Sequence, residues 1–423
     1  MENISQQETI NYFPKNPILF RFTFIFISLF ILVFNNGTFL PLTLYPVLKW
    51  PPLEWAVNWI GKTFFYVEHT LKLPMNGSGD TSFHWYSLVF ILLLSIIGTL
   101  IWSVLPRKAN NYNKLYYWLT VFVRYYLGLM LIHYGFVKFQ QSQFPFPGYG
   151  SLISPLSEFG LMRLAWSFFG ASHGYNIFIG IAEVAGVLLL FRKTATFGAM
   201  VSLITAINIM AINYFYNVPV KMVSTALVLF SLYLLAPNMI RIFQFLVLQQ
   251  PTRILSFPKL PARSKVLKGI LIGIKCLIIV SVFVFSYLNM NNSKKYMANY
   301  ISKDTDFYGA YYLSPSQDEN RKAMGIPEHW ERLVFEYKNK MSSQNVELKT
   351  RFYDIEVNKN KKEIRIISPA GEKGFHASYI IGSNGNITLT DLNSEKPVQL
   401  ILTKMDLDDI PLKNNRFNWV IGD

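Results

Sequence analysis

The chain has 423 residues, 51% of them apolar, and a formal net charge of +15, long enough for two or three ordinary domains. The charge excess is uneven: residues 1–290 hold 21 Lys and Arg against 7 Asp and Glu, whereas residues 291–423 hold 19 against 18. Basic residues in short loops between apolar runs orient a membrane protein and meet anionic lipid, which argues against nucleic acid as a partner. The single cysteine, Cys276, excludes an internal disulfide, a CxxC redox pair and a thiolate metal cage.

In chain order, seven runs approach or reach the roughly 17–25 apolar residues that a spanning helix needs. They are Ile18–Asn35, Tyr86–Leu105, Leu115–Gly135, Tyr175–Phe191, Thr194–Asn213, Val220–Leu235 and Val266–Leu288. The first lacks a strongly basic start and a small-residue cleavage site, so it reads as a retained span. Between the first two, Trp50, Trp55, Trp59 and Pro51-Pro52 predict a helix in the interface plane. A second long loop, 140–174, is apolar enough around Leu161–Gly170 to be re-entrant or to lie flat in the interface. Three basic loops fall on one side of this count: Arg107, Lys108 and Lys114; Arg192 and Lys193; and Arg241, Arg253, Lys259, Arg263, Lys265 and Lys268. The positive-inside rule then places the N-terminus in the cytoplasm and everything after Leu288 outside.

That last part reads as a soluble β domain. Arg332–Glu336, Val346–Phe352, Glu363–Ile367, His376–Ile381, Ile387–Leu389, Val398–Leu402 and Phe417–Ile421 are strand-like, with a tight turn at Ser383-Asn384-Gly385. Short, regular strands predict a small antiparallel sandwich or barrel. Its acidic cluster Asp406-Leu407-Asp408-Asp409 reads as a solvated loop rather than a Ca²⁺ site.

Ionisable groups at membrane depth are costly and need a reason. Arg124 lies about nine residues into the third run, some 13–14 Å deep at the helical rise. Glu183, the one acid in any run, lies at similar depth in the fourth. On antiparallel neighbours the two are expected to pair, with Gly128, Gly135 and Gly186 allowing close approach. Such a pair either fixes bundle packing or serves a proton or quinone site, and both readings stand. A second group, His84, His133, Lys138, Asn213 and Lys221, is expected to gather at the outer mouth, where it would take an anionic headgroup or a quinone carbonyl, or merely snorkel to the interface. None of the six histidines has helical metal-ligand spacing with another, so no metal site is expected.

Arg124–Phe139 (RYYLGLMLIHYGFVKF) followed by Ile179–Lys193 (IGIAEVAGVLLLFRK) resembles the DoxX-like bacterial membrane proteins. Phe168–Ser172, Gly77–Thr81, Asn217–Lys221 and Leu234–Asn238 are similar to a subgroup of that family with an extracytoplasmic domain. The chain departs from the subgroup at Asn238, where many members carry Asp, and at Asn415–Trp419, where they close on Arg-Gly-Phe-His-Trp. The resemblance implies a mainly α membrane protein of about seven transmembrane helices containing a DoxX-like four-helix bundle, with a small C-terminal antiparallel β domain. The divisions expected are residues 1–114 (two helices and a long outer loop), 115–238 (four-helix core), 239–290 (linker and seventh helix) and 291–423 (extracytoplasmic β domain). It further implies a bacterial inner-membrane subunit, accessory or non-catalytic, in an envelope redox or lipid-linked process, with the bilayer and a membrane or periplasmic protein as partners. A quinone-linked oxidoreductase, with quinone as cofactor, and a small-molecule transporter are the alternatives; the lack of an inverted repeat counts against the last.

Overall fold

The computed structural model describes residues 16–36, 38–39, 46–74, 79–105, 112–257, 264–301, 306–327, 330–344, 350–367, 375–393 and 397–414. Contacts divide the chain into two compact units, Met1–Gln140 with Gly174–Met290, and Gln141–His173 with Asn291–Asp423.

The first unit is helical. Helix α1 (Pro17–Val33) starts where Asn16 accepts hydrogen bonds from the Ile18 and Leu19 amides with Pro17 at the first helical position, the combination that favours initiation. After α2 (Pro51–Phe65) come α3 (Ser82–Val104) and α4 (Tyr112–Phe139). Beyond residue 172 follow α6 (His173–Val184), which tightens into a 3-10 stretch Ala185–Leu190, then α7 (Ala195–Phe215), α8 (Lys221–Leu235), α9 (Met239–Leu246) and α10 (Lys265–Tyr300). Among the described residues six segments are long and apolar enough to cross a membrane: α3, α4, α6 with its 3-10 end, α7, α8 running into α9, and α10 as far as Asn292. The first of the seven expected spans is the apolar but shorter α1, of 17 residues. In α2, Leu53, Ala56, Val57 and Ile60 are buried while Trp55 and Trp59, with Trp50 at the N-cap, stay exposed.

The core of this unit joins α1, α4 and α8. The Tyr126 hydroxyl donates to the Phe34 carbonyl at 2.8 Å, and the Phe230 ring meets Phe30 and Tyr126 edge-on at 5.5 and 5.8 Å. Helices α4 and α6 touch backbone to backbone. A Cβ on Gly128 would lie 2.9 Å from the Gly186 carbonyl, and one on Gly135 would lie 2.7 Å from that of Gly180, so only glycine permits this approach.

The second unit is a closed, wholly antiparallel barrel of eight strands in sequence order. These are β1 (Gly309–Leu313), β2 (Arg332–Tyr337), β3 (Lys340–Gln344), β4 (Thr350–Asn358), β5 (Glu363–Ile367), β6 (Phe375–Ile381), β7 (Ile387–Asp391) and β8 (Gln399–Lys404). Alternate residues such as Tyr353, Ile355, Ile364, Ile366, Leu400 and Leu402 point inward and fill it, as period-two patterning requires. The expected choice between sandwich and barrel resolves as a barrel. Two strands go beyond the sequence expectation, β1 in the tyrosine-rich stretch and the polar β3. Gly385, at φ +79°, makes the turn into β7.

Residues 141–173 belong with the barrel rather than the helices. Ile153 packs with Ala310, Val334 and Leu407 on the barrel's outer wall. Arg332 donates to the Ile153 carbonyl at 3.0 Å and Gln344 to the Ser154 hydroxyl at 2.6 Å. The short helix α5 (Leu161–Ala171) is braced by Phe144, which packs on Trp166 and Phe169. The expected domain 291–423 thus gains a segment from the loop expected to be re-entrant or flat in the interface. Asn76–Ser78, Arg107, Lys108, Lys259, Arg263 and the closing Asn415–Trp419, with its strand-like run Phe417–Ile421, lie outside the described residues.

Candidate functional site

The expected Arg124–Glu183 pair is replaced by another. Glu183, 1% exposed, bonds to Lys138 Nζ at 2.7 Å, while the Arg124 Nε donates to the Leu189 carbonyl at 2.8 Å. The reason is register. With Gly128 against Gly186 and Gly135 against Gly180 and Val184, Arg124 stands beside Leu189, six residues past Glu183 and about 9–12 Å further along the helix and its 3-10 end. Glu183 lies one turn below Lys138, whose long side chain closes the gap.

The group expected at the outer mouth separates into three places. Lys138 is held by Glu183. His133 Nδ1 lies 3.3 Å from the Ser286 hydroxyl, its ring stacked on Phe285. His84, Asn213 and Lys221 come together around Asp80, a residue that reads in the sequence only as part of a polar turn. Its carboxylate accepts from the Lys221 and Met222 amides at 2.5 and 3.1 Å, which satisfies orphan donors and complements the dipole at the start of α8. The Gly79 amide donates to the Pro219 carbonyl at 2.8 Å, Asn213 to the Val220 carbonyl at 3.4 Å, and Thr81 meets His84 Nδ1 at 2.8 Å. The stretches 79–81 and 217–221, far apart in sequence, thus form one clasp.

The stretch ending at Asn238 makes a second clasp. Buried Asn238 accepts from the Leu255 amide at 2.8 Å and donates to its carbonyl at 3.0 Å. This holds Phe257 in place: its ring lies 5.1 Å from the Arg124 guanidinium, and its carbonyl accepts from Arg192 at 3.1 Å. Lys275 Nζ donates to the Leu190 carbonyl at 2.8 Å. Arg124 and Lys275 are drawn here because the 3-10 stretch ends at Leu190 and leaves its last carbonyls without helical donors.

Arg124, Arg192 and Lys275 line a cavity of about 460 Å³ with Tyr117 and Tyr125, between aromatic and aliphatic walls that include Trp118, Phe122 and Ile274. Among the described residues no Asp or Glu lines it. Arg124 makes no second hydrogen bond or ion pair among the described residues. Chemically, the arrangement offers several N–H donors and two phenols in an apolar setting.

The barrel carries a different kind of polar feature. Glu336 accepts from the Tyr149 amide at 3.2 Å, and burial pushes its carboxyl above the usual range against the opposing pull of the Tyr149 and Gly150 amides. Burial, helped by the hydrogen bond to Asp306, pushes the Tyr379 phenol up to about 12. In the acidic loop, Asp408 is paired with Lys413 at 2.9 Å. Among the described residues no group of three or more His, Cys, Asp or Glu is placed to hold a metal.

No family model matches the chain. No solved structure matches it. Over 73 residues, 17% of its length, the chain is 45% identical to the uncharacterized protein YwoB of Bacillus subtilis, and it spans about half of that protein (47%).

Proposed function

We propose that the chain is a DoxX-like protein of the bacterial inner membrane, with seven spans, that serves as an accessory, non-catalytic subunit in an envelope redox or lipid-linked process. The observation that carries this reading is the engagement of Glu183 by Lys138: the one acid within the helical spans is neutralised, which leaves no free carboxylate among their described residues for proton transfer. The segments that carry the family resemblance support it too, since 79–81, 217–221 and 234–238 serve as clasps. The barrel and residues 141–173 fold together although four candidate spans separate them in sequence. Four crossings would leave both on one side, which supports an orientation with the basic loops on the other.

Purification of the full chain tests the role. A stoichiometric protein partner without quinone in the extracted lipid supports an accessory subunit. A bound quinone, for which the Tyr117–Tyr125 cavity has room, would favour the oxidoreductase instead. For the topology, alkaline phosphatase fused after Asp423 should be active and fused within Lys259–Lys265 silent; the reverse pattern would overturn the orientation.

A further inference from the structure

We propose that the Arg124 cavity seats an anionic membrane phospholipid, its phosphate held by Arg124, Arg192 and Lys275 and its hydrocarbon laid along Trp118, Phe122 and Ile274. The inference rests on the membrane reading alone and not on the accessory role.

Charge comes first. Among the described residues three cations and no acid line one cavity, and the cations' direct hydrogen-bond partners there are the neutral carbonyls of Leu189, Phe257 and Leu190. Like charges gathered in an apolar setting repel, and an anion relieves them. Donors remain for it, because Arg124 spends only its Nε, and a guanidinium fork matches phosphate oxygens. The volume, about 460 Å³, falls in the range of roughly 300–1,000 Å³ usual for small-molecule sites. The walls select a lipid over free phosphate. Trp118 and Ile274 are 42% and 47% exposed beside the cations, an apolar surface that a bare ion leaves uncovered and an acyl chain covers. A neutral quinone would leave the three charges uncompensated.

The test uses the full chain, purified in a non-ionic detergent, stripped of lipid and titrated separately with phosphatidylglycerol, phosphatidylcholine and inorganic phosphate. Native mass spectrometry counts bound lipid and intrinsic fluorescence follows the melting temperature. One phosphatidylglycerol should be retained and the melting temperature raised, with no shift from the other two. Losing one charge-assisted hydrogen bond should weaken retention about tenfold in Lys275→Gln and in Arg192→Gln. Lys72→Gln, at an exposed lysine that does not line the cavity, should retain lipid like the wild type. Arg124 also caps Leu189, so the test rests on Lys275 and Arg192 instead. Equal stabilisation by phosphatidylcholine, stabilisation by inorganic phosphate alone, or unchanged retention in both cavity variants would overturn the proposal.

Discussion

The sequence shows that Arg124 and Glu183 sit inside helices, yet not which partner each finds. Depth measured from the end of an apolar run assumes that neighbouring helices end level. Here the glycine contacts set the stagger instead, and Lys138, which reads as an interface residue, reaches down to the acid. Glu183→Gln and Lys138→Met should each destabilise the protein by about 3–5 kcal/mol, the usual cost of stranding a buried charge. In detergent melts the double variant should recover much of that loss, whereas Glu183→Gln with Arg124→Met should be additive, as for separated sites. Additive behaviour of the Lys138 pair would contradict the ion pair. Asn238 offers a second check. Changed to the subgroup's aspartate, it keeps an acceptor for the Leu255 amide but loses the donor to the Leu255 carbonyl. The expected cost is about 1–3 kcal/mol, with loosening at Phe257 read by hydrogen exchange. Asp80 is legible only as part of a polar turn; that it caps α8 depends on a contact between segments more than a hundred residues apart.

Helices are easier to foresee than strands, for a physical reason. A run of some twenty apolar residues announces itself, and each of the seven expected spans has a helix at its place. A strand whose outer face is polar and whose inner face carries a single large apolar residue does not, so Lys340–Gln344 gives no clear signal although Met341 and Ser343 are fully buried. Closure of the barrel rests on β1 pairing with β8, Tyr311 opposite Lys404, a match between distant residues that no local pattern predicts. Where β2 meets the 149–154 stretch, Glu336 makes the junction sensitive to pH. Its carboxyl is raised in the folded state, so the protonated form is the better fit. The stability it contributes is full below the ordinary carboxylate range, near about 4.3, and is lost as pH rises through the raised folded value. Hydrogen-exchange protection factors in the barrel unit, with the intrinsic pH dependence of exchange divided out, should therefore be higher at pH 5 than at pH 7.5. Glu336→Gln should remove that difference and protect the neutral-pH form; an undiminished pH effect in the variant would assign it to another group.

At the scale of the molecule, the sequence divides the chain at about residue 290 by charge and hydropathy, and the barrel does begin beyond that point. The share of residues 141–173 in the same unit is hidden, because their aromatic and proline-rich composition is equally suited to a membrane surface. A fragment of residues 291–423 alone would leave Ala310, Val334 and Leu407 without Ile153. It should be less soluble and melt at lower temperature, by circular dichroism, than the same fragment with 141–173 fused to it. Equal behaviour of the two would make the added segment a passenger.

The split construction also sets a timetable. A ribosome adding about 5–20 residues per second takes on the order of ten to fifty seconds to pass from His173 to the end of β8. Throughout that interval Phe144, Trp166, Phe169 and Ile153 are already made while the wall that receives Ile153 is not. The early segment must be kept from proteases and from wrong partners until the last strands arrive, so a chain truncated anywhere before β8 is a natural substrate for protein quality control.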